Sequence, residues 1–138
     1  MPGVDTLQMV AGFNWIRWPE SSDYTQKCFQ KMNNELIADI INWDIRTLQR
    51  ALFYWENNVD WNKIKIALEL GSRQGGLSLW LALKGKKVIC SDIENPQETA
   101  KEYHQKYNTG NLIEYRAIDA TCVPYESYFD LIVFKSVI

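Results

Sequence analysis

An excess of charge of either sign is missing from this chain: 15 Lys and Arg stand against 17 Asp and Glu, a formal net charge of −2. That balance supplies no electrostatic footprint for nucleic acid or for an anionic membrane, so neither is expected as a partner. Histidine is reduced to His104 alone, and the three cysteines, Cys28, Cys90 and Cys122, are odd in number and widely spaced. With no Cys-x-x-Cys or comparable ligand spacing, no metal site is expected. The thiols read as reduced, as in a cytoplasmic protein. No apolar run approaches the roughly 18 residues of a membrane helix. The first residues show no basic-then-apolar leader, and no repeat or low-complexity tract interrupts the chain.

What is present is ordinary in bulk. The 138 residues are 46% apolar and 23% charged, enough for one domain with a real core. Six Trp and seven Tyr are many for this length, and their expected use is packing. Residues 1–18 show no clear period and read as an irregular lead-in carrying Trp15 and Trp18. Pro19-Glu20-Ser21-Ser22-Asp23 is a helix start, with small polar residues available as caps. Tyr24, Cys28, Met32, Leu36, Ile37, Ile40 and Ile41 then recur in steps of three and four, one face of a helix. A second helix is expected from Asp44, with Ile45, Leu48, Ala51, Leu52 and Trp55 inward and Asn57-Asn58 at its end. These helices define an N-terminal segment, 1–62, that packs on or lids a core at 63–138.

The core opens with Ile64-Lys65-Ile66-Ala67-Leu68-Glu69-Leu70-Gly71-Ser72-Arg73-Gln74-Gly75-Gly76. The short apolar run is that of a buried parallel strand, with Glu69 at its C-terminal edge. Gly71, Gly75 and Gly76 free the backbone for a sharp turn and close approach to a ligand. A phosphate loop would need Lys-Ser or Lys-Thr after its last glycine, and a dinucleotide site would have Gly-x-Gly-x-x-Gly. Glu69-Leu70-Gly71-x-x-x-Gly75 instead resembles the first motif of class I S-adenosylmethionine-dependent methyltransferases. One departure is Arg73, which stands where that family often has a glycine.

The following elements extend the resemblance. Leu77, Leu79, Trp80, Leu81 and Leu83 form an apolar helix stopped by Gly85. Val88-Ile89-Cys90-Ser91-Asp92 is a second strand ending in an acid, about twenty residues beyond Gly71, the spacing at which a carboxylate meets ribose hydroxyls. Asn95-Pro96-Gln97-Glu98 starts a helix with a cap, a first-position proline and a capping-box acid. That helix carries Ala100, Tyr103 and Tyr107 inward, and His104 reads as half-buried or exposed. Leu112 to Ile118 is a third strand, followed by Asp119-Ala120. Phe129-Asp130 leads into Leu131-Ile132-Val133-Phe134-Lys135-Ser136, a fourth buried strand.

From 64 to 138 these segments resemble the methyltransferase family in the family's order. The resemblance implies an α/β, Rossmann-like three-layer sandwich with a mainly parallel sheet of order 3-2-1-4, preceded by N-terminal helices. It implies S-adenosyl-L-methionine as cofactor and methyl transfer to a small-molecule substrate as the activity. The implied cofactor set is Glu69 toward the methionine amino group, Gly71, Ser72 and Gly75 in the loop, Asp92 on the ribose, Ile93 on the adenine face, and Asp119 with Ala120 at the adenine edge. No acid or base is singled out as catalytic. A module that binds the cofactor without transfer, or a nucleotide-dependent oxidoreductase, are the alternatives. Family sheets continue beyond the fourth strand, so the sheet here reads as truncated. The stretch 130–138 is then expected to be an apolar edge open to self-association or covered by shifted N-terminal helices.

Overall fold

The computed structural model describes residues 8–10, 34–41 and 45–135. Among these residues, five strands form one sheet: β1 (Gln8–Val10), β2 (Ile66–Leu70), β3 (Lys87–Asp92), β4 (Ile113–Ala117) and β5 (Leu131–Phe134). Their order is β1-β5-β2-β3-β4, and every neighbouring pair is parallel. The four strands expected from the sequence stand in the expected 3-2-1-4 order, and the α/β, Rossmann-like class is the one observed. The helices are α1 (Asn34–Ile41), α2 (Ile45–Asn58), α3 (Gly76–Leu83) and α4 (Gln97–Lys106). Trp15, Trp18, the helix start at 19–23, the helical positions Tyr24, Cys28 and Met32, and Ser136 lie outside the described residues.

Alternation along β2 divides the core in two. Ala67, with Val88, Cys90, Leu131 and Val133 of neighbouring strands, faces the helices and packs against Ile37, Ile40, Leu52, Leu77, Trp80 and Ala100. Leu68 and Leu70 face the other way, onto Ile89, Ile118 and Phe129, with Val123, Tyr125, Ile132 and Phe134 packed beside them. All four described helices therefore contribute to one face. Among the described residues, the loop 118–130 covers the opposite face, so the third layer there is loop rather than helix.

Helix α3 is buried from Gly76 through Ala82, as its apolar run requires. It ends where expected: Gly85 takes φ +78°, its N–H donates to Ala82 O (2.9 Å), and the Lys86 N–H donates to Leu81 O (3.2 Å). That pair of bonds is a Schellman termination. At the same end Trp80 meets Trp61 edge-on at 5.2 Å and Trp55 at 5.9 Å. Its indole N–H donates to Glu56 Oε1 at 2.7 Å. Lys84 pairs with Glu56 and lies 4.5 Å over the Trp61 ring. These tryptophans serve packing.

Two features differ from the sequence reading. Residues 8–10 are not irregular: β1 pairs with β5 through Gln8↔Leu131, Met9↔Ile132 and Val10↔Val133. Consequently β5 is an interior strand over Leu131 to Val133, and a strand, not a shifted helix, covers the edge expected to be open. The entry to β5 is pinned as well, because Asp130 Oδ2 accepts from the Lys65 N–H (2.9 Å) and the Ile66 N–H (3.0 Å) at the start of β2.

Candidate functional site

The C-terminal ends of the parallel strands gather on one edge of the sheet, the place where such sheets bind ligands. Leu70 pairs with Phe134 and Asp92 with Ala117, so the segments that follow β2, β3, β4 and β5 emerge side by side. The glycine loop, Asp92-Ile93, Asp119-Ala120 and Lys135 all belong to this edge.

The loop between β2 and α3 is tightly determined. Gly71, Arg73 and Gly75 take φ of +64°, +48° and +71°. Only the glycines adopt that region without steric penalty, so Arg73 needs external support. It receives two bonds: its N–H donates to Asp92 Oδ2 (2.8 Å), and its carbonyl accepts from Thr99 Oγ1 (2.9 Å). On either side, the Ser72 N–H donates to Ser91 O (2.9 Å) and the Gly75 N–H to Ser72 O (2.8 Å). The residue that departs from the family pattern is thus held by the strand and helix that follow it.

Glu69 is fully buried beneath this loop. Its Oε2 accepts from the Ser78 N–H (2.7 Å) and the Ser78 hydroxyl (2.5 Å), which caps the first turn of α3 from a neighbouring strand. Its Oε1 has no hydrogen-bond partner among the described residues. Burial pushes its pKa up to about 7, against the pull of Ser78 and the Lys135 charge. Cys90, its neighbour across the β2–β3 ladder, is pushed up to about 12 by burial and by Glu69. At neutral pH the Cys90 thiol is therefore protonated, while Glu69 is divided between its neutral and ionised forms.

Nearer the surface, Asp92 is half-buried and accepts two backbone N–H groups, Arg73 at Oδ2 and Ile93 at Oδ1 (2.8 Å). Each carboxylate oxygen retains a lone pair for a further donor. Ile93 is 67% exposed, the most exposed of the large apolar side chains among the described residues. Asp119 lies exposed two residues past the end of β4, its Oδ1 accepting from the Thr121 N–H (2.8 Å) and hydroxyl (2.7 Å). Those bonds hold its carboxyl below the usual range. Ala120 beside it is exposed.

Of the residues expected to meet a cofactor, Gly71, Gly75, Asp92, Ile93, Asp119 and Ala120 share this edge. Glu69 and Ser72 lie one layer beneath it, both fully buried. His104 is corrected: it is fully buried, not half-buried or exposed. Its Nε2 lies 2.9 Å from Gly75 O and its Nδ1 2.7 Å from the Tyr115 hydroxyl. The sequence does carry a signal for this, since Ala100 and His104 are four residues apart and share one stripe of the helix. Thr99 was not singled out, and its contact with Arg73 O depends on how the helix docks. Pro96 rather than Asn95 holds the cap position of α4, and the Asn95 side chain, one residue earlier, accepts from the Gln97 N–H at 3.0 Å.

The donor set fits an adenosyl group with a cationic amino-acid tail: a half-open carboxylate for a vicinal diol, an exposed apolar side chain beside it, a second carboxylate farther along the edge, and an orphaned buried carboxylate oxygen under the loop. No described helix is long and apolar enough to cross a membrane. No curated protein and no solved structure matches the chain. A family model for a methyltransferase domain matches residues 68–138. The match begins inside β2 and takes in the glycine loop, Asp92, Asp119 and β5, slightly more than half of the sequence, and on that ground the chain belongs to the methyltransferase-domain family.

Proposed function

We propose that this chain binds S-adenosyl-L-methionine along the C-terminal edge of its sheet and directs methyl transfer to a small-molecule acceptor in the cytoplasm. The observation that carries the reading is the placement of Asp92, the exposed Ile93 and Asp119 around one structured glycine loop. When bound, the cofactor supplies a methyl group already activated by its sulfonium. The protein's work is then to position rather than to move protons.

In this reading Asp92 accepts from both ribose hydroxyls, using the lone pairs that Arg73 and Ile93 leave. Ile93 offers its exposed side chain to the adenine face. Asp119 accepts from the exocyclic amine, and the Ala120 N–H donates to a ring nitrogen. Gly71 and Gly75 allow close approach, and Ser72 supports the loop from below. Glu69 contributes from beneath, its Oε1 being a buried acceptor with no hydrogen-bond partner among the described residues. An arriving ammonium would favour its ionised form. The proposed binding residues all fall within the core expected at 63–138, and of the segment expected at 1–62 the described helices α1 and α2 pack against that core. Cys90 and Cys122 are unpaired thiols, as in a reducing compartment.

Titration with S-adenosylhomocysteine and, separately, with NAD tests the reading. S-adenosylhomocysteine is expected to bind and to stabilise the fold, by about 2.7 kcal/mol at a hundred times its dissociation constant. NAD is expected to do neither, and tighter binding of NAD would replace this reading with a nucleotide-dependent oxidoreductase.

A further inference from the structure

The only histidine of the chain sits under the glycine loop rather than on it, with both ring nitrogens engaged. A carbonyl can only accept, so the 2.9 Å contact between Nε2 and Gly75 O places the proton on Nε2. Burial disfavours the imidazolium, which leaves Nδ1 as an acceptor for the Tyr115 hydroxyl at 2.7 Å. The two rings also stack, 5.6 Å apart and 16° from parallel. The result is a directed chain: Tyr115 hydroxyl to Nδ1, Nε2–H to Gly75 carbonyl.

Its terminus matters. Gly75 is the residue that opens α3, and its carbonyl already accepts from the Leu79 N–H at 2.9 Å. The second bond, from His104, fixes the plane of the peptide joining loop to helix. Packing fixes it too: a Cβ on Gly75 would lie 2.7 Å from the imidazole and 3.0 Å from Cys90 Sγ. The imidazole is the floor on which the loop rests, and α4 grips the same loop at Arg73 O through Thr99.

We propose that His104 is a positioning residue for cofactor binding: the Tyr115 hydroxyl selects its tautomer, and its Nε2–H holds the Gly75 carbonyl so that the glycine loop keeps the shape the ligand meets. This rests on the function proposed above. It makes loop geometry depend on the docking of α4 against β4, elements that need not touch the ligand at that point.

Because His104 is the sole histidine, nitrogen-15 labelling gives a single imidazole spectrum. The expected signature is a neutral ring protonated at Nε2, with slow hydrogen exchange at Ser72, Arg73 and Gly75. Tyr115→Phe keeps the stack and removes the donor. It is expected to disturb that signature and speed exchange in the loop. His104→Phe fills the space without a donor and is expected to weaken S-adenosylhomocysteine binding about tenfold, the scale of one hydrogen bond. His104→Gln places an amide N–H near the same carbonyl and is expected to recover affinity to within about threefold of the parent. Affinities are compared at a temperature where circular dichroism shows each variant folded. Should His104→Phe fail to fold, Tyr115→Phe carries the comparison. A ring protonated at Nδ1, or a folded donor-less variant that binds as tightly as the parent, overturns the proposal. If the parent binds no S-adenosylhomocysteine, the proposed function fails, and unchanged loop exchange in Tyr115→Phe then overturns the positioning role as well.

Discussion

The carbonyl oxygen of Ile40 lies 1.9 Å from the point where a Cβ on Gly76 would stand. Helix α1 thus meets the first turn of α3 backbone to backbone, and the glycine is required by helix packing rather than by loop freedom. Gly76→Ala has to push the two helices apart and is expected to destabilise the protein by about 1–3 kcal/mol or more. Gly110→Ala is the control, because its added methyl meets nothing within 4 Å. Its effect is expected to stay within about 0.5 kcal/mol. Denaturant midpoints of the two variants check this, and equal midpoints would mean that α1 does not sit on α3.

Asp92 has two jobs to lose. Asp92→Ala removes the proposed ribose acceptor and also the support for the left-handed Arg73. Affinity for S-adenosylhomocysteine is expected to fall by roughly 1.5–3 kcal/mol, the value of hydrogen bonds to a charged group. The melting temperature of the free protein is expected to fall too, unlike that of a protein losing a merely solvated side chain. Asp92→Asn keeps one acceptor oxygen, so it retains one of the two backbone contacts, at Arg73 or Ile93, and is expected to lie between. Calorimetry with and without ligand separates the two losses.

Glu69 makes stability depend on pH in an unusual direction. Its carboxyl moves from 4.5 to about 7 on folding, so between those values the folded state binds the proton that the unfolded chain releases. Stability therefore rises as pH falls through that window, by up to about 3 kcal/mol from this group. His104 opposes it: its pKa is lowered by burial, so the unfolded chain takes up a proton first and stability falls below about pH 6.5. Glu69→Gln removes the first contribution and leaves the second. The difference in unfolding free energy between parent and variant is expected to grow in the parent's favour from pH 7.5 to pH 5. A difference independent of pH would show that Glu69 is ionised throughout.

The sheet edge supplies a further expectation. Removing residues 1–10 strips β1 from β5 and exposes the backbone of Leu131 to Val133 along an apolar strand. Amide exchange at Ile132 and Val133 is expected to accelerate, and light scattering is expected to show self-association through the 130–138 edge. Unchanged exchange would mean that the pairing with β1 contributes no protection.

Much of this molecule is legible in the sequence because its strands are short, apolar and punctuated. The runs ending in Glu69-Leu70, Asp92 and Phe134 each announce a buried strand, the run from Leu112 to Ile118 announces a strand, and Gly85 marks the end of α3 without ambiguity. Of the candidate site residues at strand ends, Asp92 follows from its spacing to Gly71, and Asp119 from the resemblance of its segment to the methyltransferase family. Segment 8–10 was illegible because three residues cannot display a period, and only the neighbouring β5 makes them a strand. Gly76 looks like loop freedom in the sequence because the partner that forbids a side chain there, Ile40, is remote in the chain. The burial of His104 is hidden in the sequence, because a polar residue among charged neighbours looks exposed until Tyr115 and the Gly75 carbonyl are placed around it.

The position of β1 also sets an order of events. This strand comes first in chain order among the described strands, and its neighbour there is β5, the last in that order. Until β5 has docked on β2, with Asp130 fastened to the Lys65 and Ile66 amides, residues 8–10 have no ladder to join. Contacts so distant in sequence close late and slowly. Among the described strands, the first in chain order is therefore expected to be the last to find its place, unpaired until the segment carrying β5 has been made.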